Sequence, residues 1–265
     1  MIFLRLAVLV LLLWAIPARA QLHVSTGGND NNNCASTSTP CLTIQGAADK
    51  VAYATLIDIS VAPGIYSAGA NVYYWRGLNI HGPLSNGACT DPTQVIIDLP
   101  SSTVAFQVQD NVILGVSCMT IRGASGASAV SAFAVRQGAI LDFLNMRFGA
   151  LPGGSIVSLS DRGMASCAGN VWIDGSLVVA GNVYNSTLNW ACFTTIAAGL
   201  GMTHFFSGAG WAIINAQNAV FTVTGGGAMT GRQWWLEAAG LYRSSAGYHV
   251  PGATAGTADS LSFVK

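Results

Sequence analysis

The stretch FQVQDNVILGV, residues 106–116, returns 27 positions later as FAVRQGAILDF, residues 133–143. The two align without a gap, with apolar residues at the first, third, seventh, eighth, ninth and eleventh places. The match runs on, with Met119 over Met146 and Ile121 over Phe148. VSLSDRGMAS, residues 157–166, fits at an offset of 24, and a looser copy, AIINAQNAVFTV, starts 79 residues after the second. Each copy is a short apolar alternation, a polar turn and another alternation. Period-two alternation marks a strand with one buried face, and a lone strand cannot bury that face by itself. Units of this length with no helix between them predict a solenoid, in which stacked coils share one core. A β-sandwich also shows turns every 8–12 residues or so, but gap-free offsets are not expected of it. The expected fold is all-β, a right-handed parallel β-helix with a short N-terminal capping helix.

That helix is read from CLTIQGAADKV, residues 41–51. Ile44, Ala47, Ala48 and Val51 recur at helical spacing, an apolar stripe on one face. Thr43 is the expected N-cap, its hydroxyl accepting from the first turn. A solenoid end exposes core and unpaired strand edges, so a lid is needed there. The expected layout is one domain over 21–265, with a cap region at 21–55, coils at 56–225 and a C-terminal cap at 226–265. Trp234 and Trp235 are expected to plug the far end.

Residues 1–20 read as a secretory signal peptide: Arg5 near the start, an apolar run from Leu6 to Ile16, and Ala18-Arg19-Ala20 as a cleavage site. The run is too short for a membrane span. Cleavage of 20 residues from 265 leaves 245, with 9 basic against 11 acidic residues and a net charge of −2. With no basic tract, nucleic acid is not an expected partner. The six cysteines all fall in the exported part, an even count that reads as disulfides in an oxidising compartment. Chain order suggests the local pairs Cys34–Cys41, Cys89–Cys118 and Cys167–Cys192, one of fifteen connectivities. The expected location is secreted or periplasmic.

The phrases HVSTGGNDNNNC, TPCLTIQGAADKV, IDISVAPGIYSAGANV and LNIHG resemble the opening of parallel β-helix proteins of the pectin-lyase-like superfamily. In those proteins a strand–G-x-Y phrase follows a capping helix, here Ala62-Pro63-Gly64-Ile65-Tyr66. The resemblance covers roughly residues 22–150 and implies a fold more than an activity, because this scaffold hosts lyases, hydrolases, esterases and tailspikes. Similarity to pectin methylesterases would make Gln109 an oxyanion donor, Asp110 the acid/base and Asp142 the nucleophile, with Arg232 and Trp234 gripping substrate. In the repeat, however, Asp142 aligns with Gly115 and not with Asp110. That puts the two carboxylates about 15 Å apart at strand rise, too far to share one bond.

The repeat selects another constellation. Asp110, Gln137 and Asp161 fall at one turn place over successive coils, with Arg136 and Arg162 on the flanks. At about 4.8 Å per coil the two aspartates lie about 9.6 Å apart, near the carboxylate spacing of an inverting glycosidase. These three are the candidate catalytic residues, and the two arginines are candidates for orienting acidic sugars. The same residue types are also ordinary turn formers. In VYYWRG, strand alternation puts Tyr73 and Trp75 on one face, a candidate surface for stacking on sugar rings. No metal-ligand spacing occurs and no cofactor is expected. The reading is an exported protein that contacts polysaccharide by binding or by an unidentified modification, with binding favoured over catalysis. The alternatives are an esterase- or glycosidase-like carbohydrate enzyme, or a tailspike-like surface protein. A monomer or a homotrimer fits the chain, with a glycan surface as its partner.

Overall fold

The computed structural model describes residues 21–52, 55–74, 76–224, 230–243, 251–252, 254–258 and 262–264. The expected signal peptide and Trp75 lie outside the described residues. The chain winds as a parallel β-solenoid. One wall is an eight-stranded sheet running from Ala70–Val72 to Thr257–Ala258. The second wall follows ten strands from Gln21–Val24 to Phe263–Val264, and its sheet continues around a bend into a third wall that includes Val95–Leu99 and Thr120–Gly123. Among the described strands, the single antiparallel pair is the small excursion of Leu84–Ser85 with Ala88–Cys89.

The 27-residue offset is the register of the walls. Phe106 pairs with Phe133 on the first wall, and Leu114 with Leu141 and Val116 with Phe143 on the second. All six are buried. The offset of 24 is register too, since Phe133 pairs with Val157. The looser copy is not: Ile213 lies in the row of Ile140, Met164 and Thr187, so residues 212–223 belong to the second and third walls rather than the first. Coil length drifts along that row, with spacings of 27, 24 and 23 before 26, so three equal periods overshoot the true register.

Aromatic rings run along the inner faces. Phe133 stacks on Phe106 at 5.7 Å and on Phe143 at 5.4 Å, and Trp190 meets Phe143, Phe205 and Phe206 edge-on. The buried Trp190 indole donates to Thr194 Oγ1 at 2.9 Å, which satisfies its one polar group. All three expected cysteine pairs form, with Cα atoms 5.1, 5.2 and 5.5 Å apart, inside the range a disulfide requires.

The helix α1 (Ile44–Ala48) is shorter than the stripe predicts, but Ile44, Ala47, Ala48 and Val51 are all buried. Thr43 caps it through Gly46 N at 2.8 Å. Asp30 anchors the approach by accepting from Leu42 N, Thr43 N and Thr43 Oγ1. Partial burial works against the Asp30 carboxylate, but the Thr43 and Leu42 donors and the Lys50 charge outweigh it and hold the carboxyl below its usual range. Gly46 faces Asp30, where a Cβ would lie 2.2 Å from Oδ1, so a side chain there would push the Asp30 carboxylate off its donors. Across from the helix, Gln45 accepts from Asn71 N at 2.7 Å and donates to Asn71 O at 3.3 Å. A side-chain amide thus does for the first strand of the eight-stranded sheet what a neighbouring strand would do. The G-x-Y phrase closes on itself: Tyr66 is buried, its hydroxyl donates to Ala62 O at 2.8 Å, and burial pushes it up to about 12.

Candidate functional site

The corner between the first and second walls is a stacked left-handed turn. In successive coils Tyr74, Asp110, Gln137, Asp161, Asn185, Gly210 and Ala238 occupy its first left-handed place, with φ between 47° and 64°. Asn111, Gly138 and Arg162 follow in the same conformation. Backbone bonds tie one corner to the next: Asn111 N to Gln137 O at 3.2 Å, Gly138 N to Asp161 O at 3.1 Å, and Arg162 N to Asn185 O at 3.0 Å. Asn, Asp and Gly meet this backbone demand at low cost. A left-handed Tyr, Gln or Arg pays about 1–2 kcal/mol.

Side chains of the corner line a shallow basin of about 410 Å³, formed by Tyr74, Asp110, Asn111, Gln137, Asp161 and Arg162. The structure therefore brings together the three residues that the repeat placed on one ridge, with Arg162 beside them. Arg136 is exposed on the neighbouring turn place and does not line the basin. Two carboxylates against one guanidinium leave the lining with a formal charge of −1.

Tyr73 does not join this basin. The strand ends at Val72 and the chain turns at Tyr74, so the alternation read through VYYWRG stops one residue too early to apply. Tyr73 faces a smaller recess with Gln45, Asp49, Asn71 and Arg76, and Tyr74, 56% exposed, lines both that recess and the basin. Tyr74 and Asn111 are the lining residues that sequence reasoning missed. Only the structural register reveals Tyr74: Val72 pairs with Val108, which sets Tyr74 opposite Asp110.

The esterase-like arrangement does not assemble. Gly115 pairs with Asp142 on the second wall, away from the corner that carries Asp110. Loss of solvent around Asp142 raises its carboxyl above the usual range, although its side chain keeps an exposed edge. Trp234 is buried in the row of Phe206 and so belongs to the core, while Trp235 points outward. Arg232 lies over the Trp235 ring at 5.9 Å, and His204 meets the same ring edge-on at 5.2 Å. Burial, then the Arg232 charge, holds the His204 imidazole below its ordinary value.

No family model matches the chain, and no curated protein matches it. Among solved structures it is similar to the pectin methylesterase from Aspergillus niger, at 12% identity and a TM-score of 0.37, over 93% of this chain and 86% of that one. That likeness carries no residue roles across. The chain itself pairs, coil on coil, as a parallel β-solenoid.

Proposed function

We propose that this protein is exported and contacts polysaccharide through the corner basin. The observation that carries the reading is that six left-handed residues stacked on one corner, an exposed tyrosine among them, line one basin. A tyrosine ring offers a flat apolar face to the CH face of a sugar. The carboxylates, amides and guanidinium beside it supply both donors and acceptors for hydroxyl groups. Three disulfides fit an oxidising compartment, and among the described residues no helix is long and apolar enough to cross a membrane.

A glycan array probed with the disulfide-bonded protein tests the reading. Binding by the native protein that Tyr74→Ala abolishes is the expected result, and a blank array, or binding that survives Tyr74→Ala, overturns it. The basin also supports a second reading, because Asp110 and Asp161 line it together with Gln137 between them. Two coil steps set these carboxylates about 9.6 Å apart, at the upper edge of the inverting-glycosidase range. Reducing-sugar and methanol-release assays on plant and bacterial polysaccharides check it. If it holds, Asp110→Asn and Asp161→Asn each abolish turnover while the folded protein is recovered in normal yield.

A further inference from the structure

The basin occupies only the first half of the corner ridge. Register carries the ridge on: Leu159 pairs with Val183 and Val183 with Gly208, so the turn of Tyr184 and Asn185 and then the turn of Gly210 and Trp211 stack beyond Asp161. These two turns bring aromatic rings back to the ridge. Tyr184 is 51% exposed and Trp211 is 89% exposed. The turn that carries Trp211 is fixed through its backbone. Asn185 Oδ1 accepts from Trp211 N at 3.0 Å, and Gly210 takes φ 64° where a Cβ would lie 2.3 Å from that same oxygen. A turn whose backbone is fixed in this way leaves its indole in water and gives up burial that the core would have rewarded.

From Tyr74 to the turn of Trp211 is five coil steps, about 24 Å of ridge at about 4.8 Å per coil. Along it run an exposed ring, a stretch of polar side chains, and two more exposed rings. Resting on the reading of the basin as a glycan site, we infer that the ligand is a linear, neutral, β-linked polysaccharide lying along the solenoid axis, with Tyr74 stacking one end and Tyr184 and Trp211 the other. Gluco-configured β-linked rings carry their hydroxyls equatorially and so present flat apolar faces to aromatic side chains. The basin lining of two carboxylates to one guanidinium favours a neutral chain over a polyanion.

Titration calorimetry with cellobiose, cellotetraose and cellohexaose, and with hexagalacturonate as the acidic arm, tests the inference on the disulfide-bonded protein. Affinity is expected to rise with chain length, and cellohexaose is expected to bind more tightly than hexagalacturonate. Trp211→Ala should weaken cellohexaose about tenfold and leave cellobiose unchanged, the loss of one stacked ring. Tyr74→Ala should weaken every length. If cellobiose and cellohexaose bind equally, and Tyr74→Ala weakens both while Trp211→Ala weakens neither, the extended ridge falls and the basin stands. Tighter binding of hexagalacturonate overturns the neutral class. If no probe binds while the array shows Tyr74-dependent binding of another glycan, the ligand class is wrong and the basin still stands. A blank array overturns the basin as well.

Discussion

Left-handed residues recur at more than one corner of the solenoid, and two of those corners meet the backbone demand with different side chains. At the corner between the second and third walls the residues are Cys118, Asn145 and Gly169, with φ of 59°, 53° and 66°. Their side chains turn back onto the protein: Cys118 is bonded to Cys89, Asn145 Oδ1 accepts from Asn170 N at 3.0 Å, and Gly169 leaves room for that same oxygen. At the corner between the first and second walls, Tyr74, Gln137 and Arg162 hold costlier conformations and point into solvent around the basin. The second-to-third corner keeps one such costly residue, the bridged Cys118, beside Asn and Gly, whereas the first-to-second corner keeps Tyr74, Gln137 and Arg162 unbridged among its Asp, Asn and Gly residues. The strain carried by Tyr74, Gln137 and Arg162 fits the proposal that these side chains are kept for binding.

The largest effect that would test this contrast lies at the second-to-third corner. Replacing Cys89 and Cys118 together by serine should cost about 2–4 kcal/mol of stability, read by urea unfolding of the oxidised protein. Next, Gly169→Ala forces a Cβ to 2.6 Å from Asn145 Oδ1 at φ 66° and should cost about 1–3 kcal/mol. At the strained corner the sign reverses. Gln137→Gly and Arg162→Gly should leave stability unchanged or raise it by up to about 1 kcal/mol while weakening glycan binding. A loss as large as that of Gly169→Ala would show that the basin side chains hold the turn, and the contrast would collapse.

The smallest effect comes from the first wall as it feeds the strained corner. His204 has a folded value below 6.5, so the unfolded chain takes up a proton first as pH falls. Stability is therefore lost as pH drops from the unfolded value toward the folded one, and nothing changes above it. His204→Gln should flatten the difference in melting temperature between about pH 7.5 and about pH 5. An unaltered difference would assign the pH response to other groups.

The wall register was legible because neighbouring coils of equal length leave a gap-free offset. Phe106 over Phe133 and Val116 over Phe143 need nothing beyond alternation. The offsets of 27 and 24 together placed Asp110, Gln137 and Asp161 on one ridge, since a corner inherits the register of its strands. Sequence failed where coil length changed: the shorter coils between Ile140 and Ile213 shift every later residue, which hid Tyr184 and Trp211 from the ridge. It failed at Tyr73 and Tyr74 for a local reason. Alternation describes a strand, and the left-handed turn at Tyr74 ends the strand without a glycine or asparagine to announce it.

A coil that stacks on its predecessor can, in the same way, stack on the coil of another molecule, so a solenoid has no inherent length. Gln45 sets this one's beginning. By taking both backbone groups of Asn71, it leaves the first strand of the eight-stranded sheet nothing at that residue to offer a second chain. Gln45→Ala removes no core atom, yet it turns a closed end into a growth point. The consequence to look for is fibre formation that accelerates with protein concentration while each subunit stays folded.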